Sequence, residues 1–222
     1  MSIDILKREL QIKVVLLGES GVGKSCIILR YINNIFSLYN ISTTLSTCAT
    51  KRVSYNNNKD IITYNIWDTA GQEKFRSIAK INYKDADVIL LVFDITNQKT
   101  FQCIKDYWYL EVKENAPENI IIALVAAKCD LSEEKEINSE DAELYAKSIN
   151  SMYIETSSLD NTGINDLFDA IGKKILSNNN LEEEIFLKNN SKISEENQKR
   201  NRKNIEKKKN KNKETKKKSG CC

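Results

Sequence analysis

Apolar and polar positions alternate along the chain in two rhythms. Residues 11–17 (QIKVVLL), 88–93 (VILLVF), 120–126 (IIIALVA) and 152–155 (MYIE) are short apolar runs that read as strands. Residues 47–55 and 61–67 add two more, joined by a turn around Asn57 and Asn58. Residues 24–34, 74–83, 97–115, 138–149 and 164–176 carry helical spacing instead. Residues 36–46 are polar and β-branched without that spacing and read as a loop. Strands alternating with helices predict an α/β domain: a six-stranded, mostly parallel sheet with about five flanking helices. The hairpin of 47–55 with 61–67 is its expected antiparallel edge. From Ser177 onward Asn, Lys, Glu and Ser dominate. Such a segment buries too little apolar surface to order itself, although the amphipathic stretch Leu181–Leu187 is suited to docking back. The expected organisation is a domain over 10–176 and a disordered tail over 177–222.

Charge sharpens that division. The 222 residues carry a formal net charge of only +3. Residues 199–218 hold twelve Lys or Arg against Glu206 and Glu214, a net of +10, so the remainder is acidic at −7. A basic tail on an acidic body points to a membrane or nucleic-acid contact confined to the tail. No aromatic residues are interleaved there for base stacking, which disfavours nucleic acid. Cys26, Cys48, Cys103 and Cys129 are scattered without zinc-ligand spacing and read as reduced thiols. The start MSIDILKREL has acids and no apolar core, unlike a secretory signal. The longest apolar run, Ile120 to Ala127, is far short of the roughly 18 residues that span a bilayer. The chain has no histidine, which excludes histidine acid–base chemistry and histidine metal ligation.

The first strand runs straight into GESGVGKS, residues 18–25, and a helix follows. This is the pattern G-x-x-x-x-G-K-[ST] in its expected context. Glycines let the backbone of Glu19, Ser20, Gly21, Val22 and Gly23 curl so that successive N–H groups face phosphate oxygens. The helix beginning near Lys24, Ser25 and Cys26 adds the positive end of its dipole. Lys24 is expected at the β- and γ-phosphates and the Ser25 hydroxyl on Mg²⁺.

Residues 67–72, WDTAGQ, complete a pattern that resembles the Ras superfamily of small GTPases, with a Ras-like P-loop domain over roughly residues 10–176. The resemblance implies GTP/GDP and Mg²⁺ as cofactors. Asp68 would hold Mg²⁺ through water, the Gly71 N–H would meet the γ-phosphate, and Gln72 would orient the attacking water, giving slow GTP hydrolysis. Thr43 has the family spacing from Ser25 for the threonine that closes on Mg²⁺ and γ-phosphate, with Thr44 the alternative register. Phe36 falls where the family packs an aromatic edge on guanine.

The base pocket departs from the family pattern. N-K-x-D reads Ala127-Lys128-Cys129-Asp130, and E-T-S-A-K reads Glu155-Thr156-Ser157-Ser158-Leu159. Asp130 retains the means to accept from guanine N1–H and its amino group, and Lys128 can lie along the base and brace the phosphate loop. The Ser158 N–H is placed for O6, and Ser157 beside it is a further candidate nucleotide-binding residue. The missing contacts predict binding with faster exchange.

DTAGQEKFRSI, the Tyr83-centred INYKDAD and LVFDIT are similar to Rab signatures, and Trp67 and the aromatic near 83 would form part of an effector surface. The segment TTLSTC departs from the Rab pattern, while its flanks lean towards endocytic members. The terminal Cys221-Cys222 matches the doubly geranylgeranylated Rab ending. The implied protein regulates vesicle traffic on the cytosolic face of intracellular membranes. Its implied partners are an exchange factor, a GTPase-activating protein, a GDP-dissociation inhibitor, a prenylation escort and effectors. The alternative reading is a membrane-tethered scaffold that holds nucleotide weakly and does not cycle.

Overall fold

A computed structural model describes residues 8–37, 46–69, 83–178 and 180–191. Six strands form one sheet in the order β2-β3-β1-β4-β5-β6. They are β1 (Arg8–Leu17), β2 (Thr47–Tyr55), β3 (Asp60–Asp68), β4 (Val88–Asp94), β5 (Ile121–Ala127) and β6 (Met152–Thr156). Only β2 with β3 is antiparallel; every other pairing is parallel. The helices are α1 (Lys24–Asn33), α2 (Gln98–Cys103), α3 (Tyr109–Asn115), α4 (Ser139–Ser148) and α5 (Ile164–Ser177), with a further helical stretch, α6, over 180–191.

Burial explains the strand sequences. All seven residues of β4 are buried, since helices cover both faces and no position faces water. β2 is the edge and shows the opposite, alternating exposed and half-buried positions. Its exposed Arg52 blunts that edge against further pairing. The hairpin turn places Asn56, Asn57 and Asn58 all at positive φ, a region asparagine enters at less cost than other side chains.

Two cores flank the sheet. On one face, Ile27 and Tyr31 of α1 and Leu167, Phe168, Ile171 and Ile175 of α5 pack against alternate strand residues. Tyr31 stacks on Phe168 with ring centroids 3.7 Å apart. On the other face lie Phe101, Trp108, Val112, Ala142 and Ala146. The 97–115 helix is interrupted between α2 and α3 by a π-turn over Ile104–Trp108. Tyr83 belongs to this second core, 1% exposed, with its hydroxyl donating to Glu111 at 2.9 Å. Burial and that carboxylate push its pKa up. Its ring is therefore unavailable to the effector surface expected of the aromatic near 83. Trp67, on β3, is half-buried with the Lys13 ammonium 5.1 Å from its ring centre.

The segment after Ser177 is not uniform. α6 buries Leu181 and Ile185 in the first core. Arg8 Nη1 donates to Glu182 at 2.8 Å, and Lys188 Nζ donates to Asp87 Oδ1 and the Asp85 carbonyl, each at 2.6 Å. The packed structure thus runs 14 residues past Ser177, to Ser191, and includes the Leu181–Leu187 stretch. The expected helix over 74–83, apart from Tyr83, and the basic run of 199–218 lie outside the described residues. Among the described residues, no helix is long and apolar enough to cross a membrane.

Candidate functional site

The parallel strands β1, β4 and β5 end at one edge of the sheet, and the glycine-rich loop leaves β1 there. Gly18 has φ 147°, and a Cβ on it would stand 2.1 Å from the Val92 carbonyl oxygen. Only glycine allows this loop to lie so close to β4. Gly23 caps α1 with φ 106°, a left-handed conformation that turns the loop into the helix. Over Gly21 a Cβ would meet nothing within 4 Å, so the rim of the loop is open. That shape and the first-turn N–H groups of α1 fit a phosphate chain.

Lys24 is buried, 5% exposed. Its ammonium donates to the Gly18 carbonyl at 2.9 Å and to the Glu19 carbonyl at 2.7 Å, arching over the loop. Burial pulls its pKa down to about 8, and Asp68 and Glu19 only partly oppose this. A buried cation held by neutral carbonyls suits an anion. Ser25 Oγ donates to Asp68 Oδ2 at 2.6 Å, joining the first turn of α1 to the end of β3. A hydroxyl and a carboxylate are hard oxygen ligands of the kind Mg²⁺ takes while keeping several waters, so this pair fits that ion. Thr69 locks the end of β3 to β1 by donating to the Leu16 carbonyl at 2.5 Å.

The base-loop residues converge at the ends of β5 and β6. Lys128 sits at φ 66° and its ammonium donates to Asp94 Oδ2 at 2.5 Å. The Gly18 and Glu19 carbonyls of the phosphate loop are bonded by Lys24. Asp94 also accepts from the backbone and side chain of Thr96. Cys129 N–H donates to the Thr156 carbonyl at 3.1 Å, tying the loop that carries Asp130 to β6. Ser157 is fully buried and its hydroxyl accepts from Leu159 and Asp160 N–H at 3.1 and 3.3 Å. Leu159 is 52% exposed. Phe36 is half-buried just beyond the Asn34 cap of α1. Thr43, Thr44, Gly71, Gln72, Cys221 and Cys222 lie outside the described residues.

Two contributors, Asp94 and Arg30, and the side-chain role of Glu19 were not legible beforehand. Glu19 Oε1 accepts from Trp108 Nε1 at 3.2 Å and from Cys103 Sγ at 3.1 Å, so the π-turn region touches the phosphate loop. Asp94 and Arg30 likewise anchor the base loop. Asp94 stands within LVFDIT, which was singled out for its resemblance without a role for its carboxylate.

A glycine cradle, a buried lysine and a Ser–Asp pair at the carboxyl edge of a parallel sheet define a P-loop nucleotide-binding protein. The Ras family model matches residues 13–177, and the chain belongs to that family, in its Rab branch. It is 46% identical over 175 residues to Ras-related protein RabJ of Dictyostelium discoideum, covering 79% of this chain and 67% of that one. It is 40% identical over 168 residues to human Ras-related protein Rab-22A, covering 75% and 84%. With Ras-related protein Rab-31 of Rattus norvegicus it shares 42% over 166 residues, covering 74% and 83%. The chain is thus a Rab-like small GTPase involved in vesicle trafficking, a class that binds GTP and GDP, generally with Mg²⁺. The scaffold alternative is not favoured.

Proposed function

We propose that the chain hydrolyses GTP slowly on its own and cycles between GTP and GDP forms under partner control. The reading rests above all on the Lys24 ammonium arched over an open glycine loop beside the Ser25–Asp68 pair. In this reading the phosphates replace the Gly18 and Glu19 carbonyls as the partners of Lys24, and their charge restores a lysine pKa that burial has lowered. The loop N–H groups of residues 19–26 hold the phosphate oxygens, and Ser25, Thr43 and water-linked Asp68 hold Mg²⁺. When bound, that ion would supply positive charge against the charge developing on the phosphates. Gly71 N–H meets the γ-phosphate and Gln72 orients water for in-line attack. Asp130 selects guanine, the Ser158 N–H faces O6 with Ser157 shaping the loop behind it, and Phe36 packs on the base edge.

No arginine lies in residues 36–46, so an activating partner supplies the charge that speeds hydrolysis. An exchange factor, a GDP-dissociation inhibitor, an escort protein and effectors complete the cycle. Cys221 and Cys222 carry two geranylgeranyl groups and the basic tail adds attraction to anionic lipid, holding the protein on a cytosolic membrane face, endosomal by its sequence leaning. The test is to release and identify the nucleotide that co-purifies with the full-length chain, and to repeat this with Ser25→Asn. GDP or GTP is expected in the natural chain, with weakened GTP–Mg²⁺ binding in the variant. An adenine nucleotide, or unchanged GTP affinity in Ser25→Asn, overturns the assignment.

A further inference from the structure

We infer that Arg30 is a positioning residue for guanine: it ties the O6-facing loop to the helix that begins at the phosphate cradle. The inference rests on the proposed placement of guanine O6 at the Ser158 N–H. Arg30 lies on the last turn of α1, half-buried, six residues after Lys24. Its Nε donates to the Ser158 carbonyl at 2.7 Å and its Nη2 to the Leu159 carbonyl at 3.0 Å. Its Nη1 donates to the carbonyl and side-chain oxygens of Asn34, each at 3.1 Å. One rigid, planar guanidinium thus grips two successive peptide carbonyls on one side and the α1 cap on the other.

Among the described residues, the other hydrogen bonds of residues 157–162 are made within the loop itself. Ser157 N–H donates to the Thr162 carbonyl, Thr162 N–H donates to Asp160 Oδ1, and the Ser157 hydroxyl accepts two N–H groups. These hold the turn's shape but not its place against α1. Two side chains that could fix that place are short or turned away. Ala127 ends at its Cβ, 3.8 Å from where a Cβ on Gly23 would stand, and Leu159 is exposed. Arg30 therefore links the phosphate and base ends of the site. Without it the loop is free to shift relative to the cradle, and the Ser158 N–H loses its aim at O6.

Arg30→Ala is expected to speed GDP release on the order of 10-fold, from loss of two hydrogen bonds to a charged donor. Arg30→Lys should fall between, because an ammonium cannot span both carbonyls in one plane. Single-turnover hydrolysis of GTP already bound should stay within about 2-fold, since the phosphate cradle is untouched. The discriminating probe is 6-thioguanosine diphosphate, which keeps the N1–H and amino group that face Asp130 but replaces the O6 acceptor by sulfur, a weak acceptor. The Arg30→Ala penalty should shrink to less than about 3-fold for it, because the contact being aimed is weakened while the Asp130 contacts are kept. Equal penalties for both nucleotides would mean general loosening and overturn the role of Arg30 alone. Unchanged GDP release in Arg30→Ala would do the same. If the natural chain binds both nucleotides equally well, the O6 placement itself is wrong and the inference falls with it.

Discussion

Replacing Ala127 by asparagine probes the altered base pocket. Ala127 closes β5 and is 3% exposed, and its Cβ stands 3.8 Å from the position a Cβ on Gly23 would take. Gly23 has no side chain, so a carboxamide has room to extend from β5 towards the phosphate loop. With guanine between Asp130 and Ser158, as proposed above, that amide would gain one hydrogen bond to the base or the loop. One such bond contributes about 0.5–1.5 kcal/mol net, which slows GDP release by about 2- to 13-fold, centred near 5-fold. The opposite outcome has its own magnitude. A buried amide without a partner costs about 1–3 kcal/mol, which would appear as a lower Tm. Stopped-flow release of labelled GDP and thermal unfolding of the GDP-bound protein measure the two effects separately. Equal off-rates, or a reduced Tm with faster release, would refute the placement of guanine against residue 127.

Four further outcomes are expected. Gln72→Leu should slow single-turnover GTP hydrolysis while leaving GTP affinity intact; an unchanged rate with and without an activating partner removes Gln72 from the chemistry. Cys221→Ser with Cys222→Ser should give a protein of unlipidated mass in the soluble fraction of cells, and either single change a form that leaves membranes quickly; a double variant still pelleting with membranes refutes the lipid anchor. Ile185→Ala should strip amide-exchange protection from residues 180–191 while the sheet keeps its own, since Ile185 is buried and α6 is pinned at one edge; protection unchanged in α6 would show that Ile185 does not hold it. The Asp60 carboxyl is held below its ordinary value by the Arg8 guanidinium and by Asn56, so it contributes stability above about pH 4 and loses it as pH falls through the lowered value. The stability gap between the natural chain and Arg8→Ala should therefore be larger at pH 7 than at pH 3 by denaturant unfolding; a gap independent of pH would refute the coupling.

The sheet was legible because its strands differ so sharply in burial. A run such as VILLVFD has no polar face, so a strand covered on both sides was the economical reading, and β4 is fully buried. The phosphate loop was legible because its spacing reflects backbone geometry. Gly18 and Gly23 stand where φ or a close carbonyl admits no other residue. What escaped were contacts between elements distant in sequence. The pairings of Arg30 with Ser158 and of Glu19 with Trp108 span 128 and 89 residues, and hydrophobic periodicity carries no record of them. The π-turn left the 97–115 pattern reading as one regular helix, although it lies at the very place where Cys103 and Trp108 meet the phosphate loop. Tyr83 misled for the same reason: the resemblance placed the aromatic near 83 on an effector surface, while the Glu111 carboxylate on α3, 28 residues away in sequence, accepts its hydroxyl in the core. α6 was half legible. Leu181 and Ile185 gave an apolar stripe, but Arg8 at the start of β1, which donates to Glu182, and Asp87 just before β4, which accepts from Lys188, come together only once the sheet has formed. A composition argument applied to the whole tail averages such a stripe away. The same limit governs the base loop, where Ala127 and Leu159 read as losses, while the arginine that grips the loop lies on α1 and becomes visible only through distances.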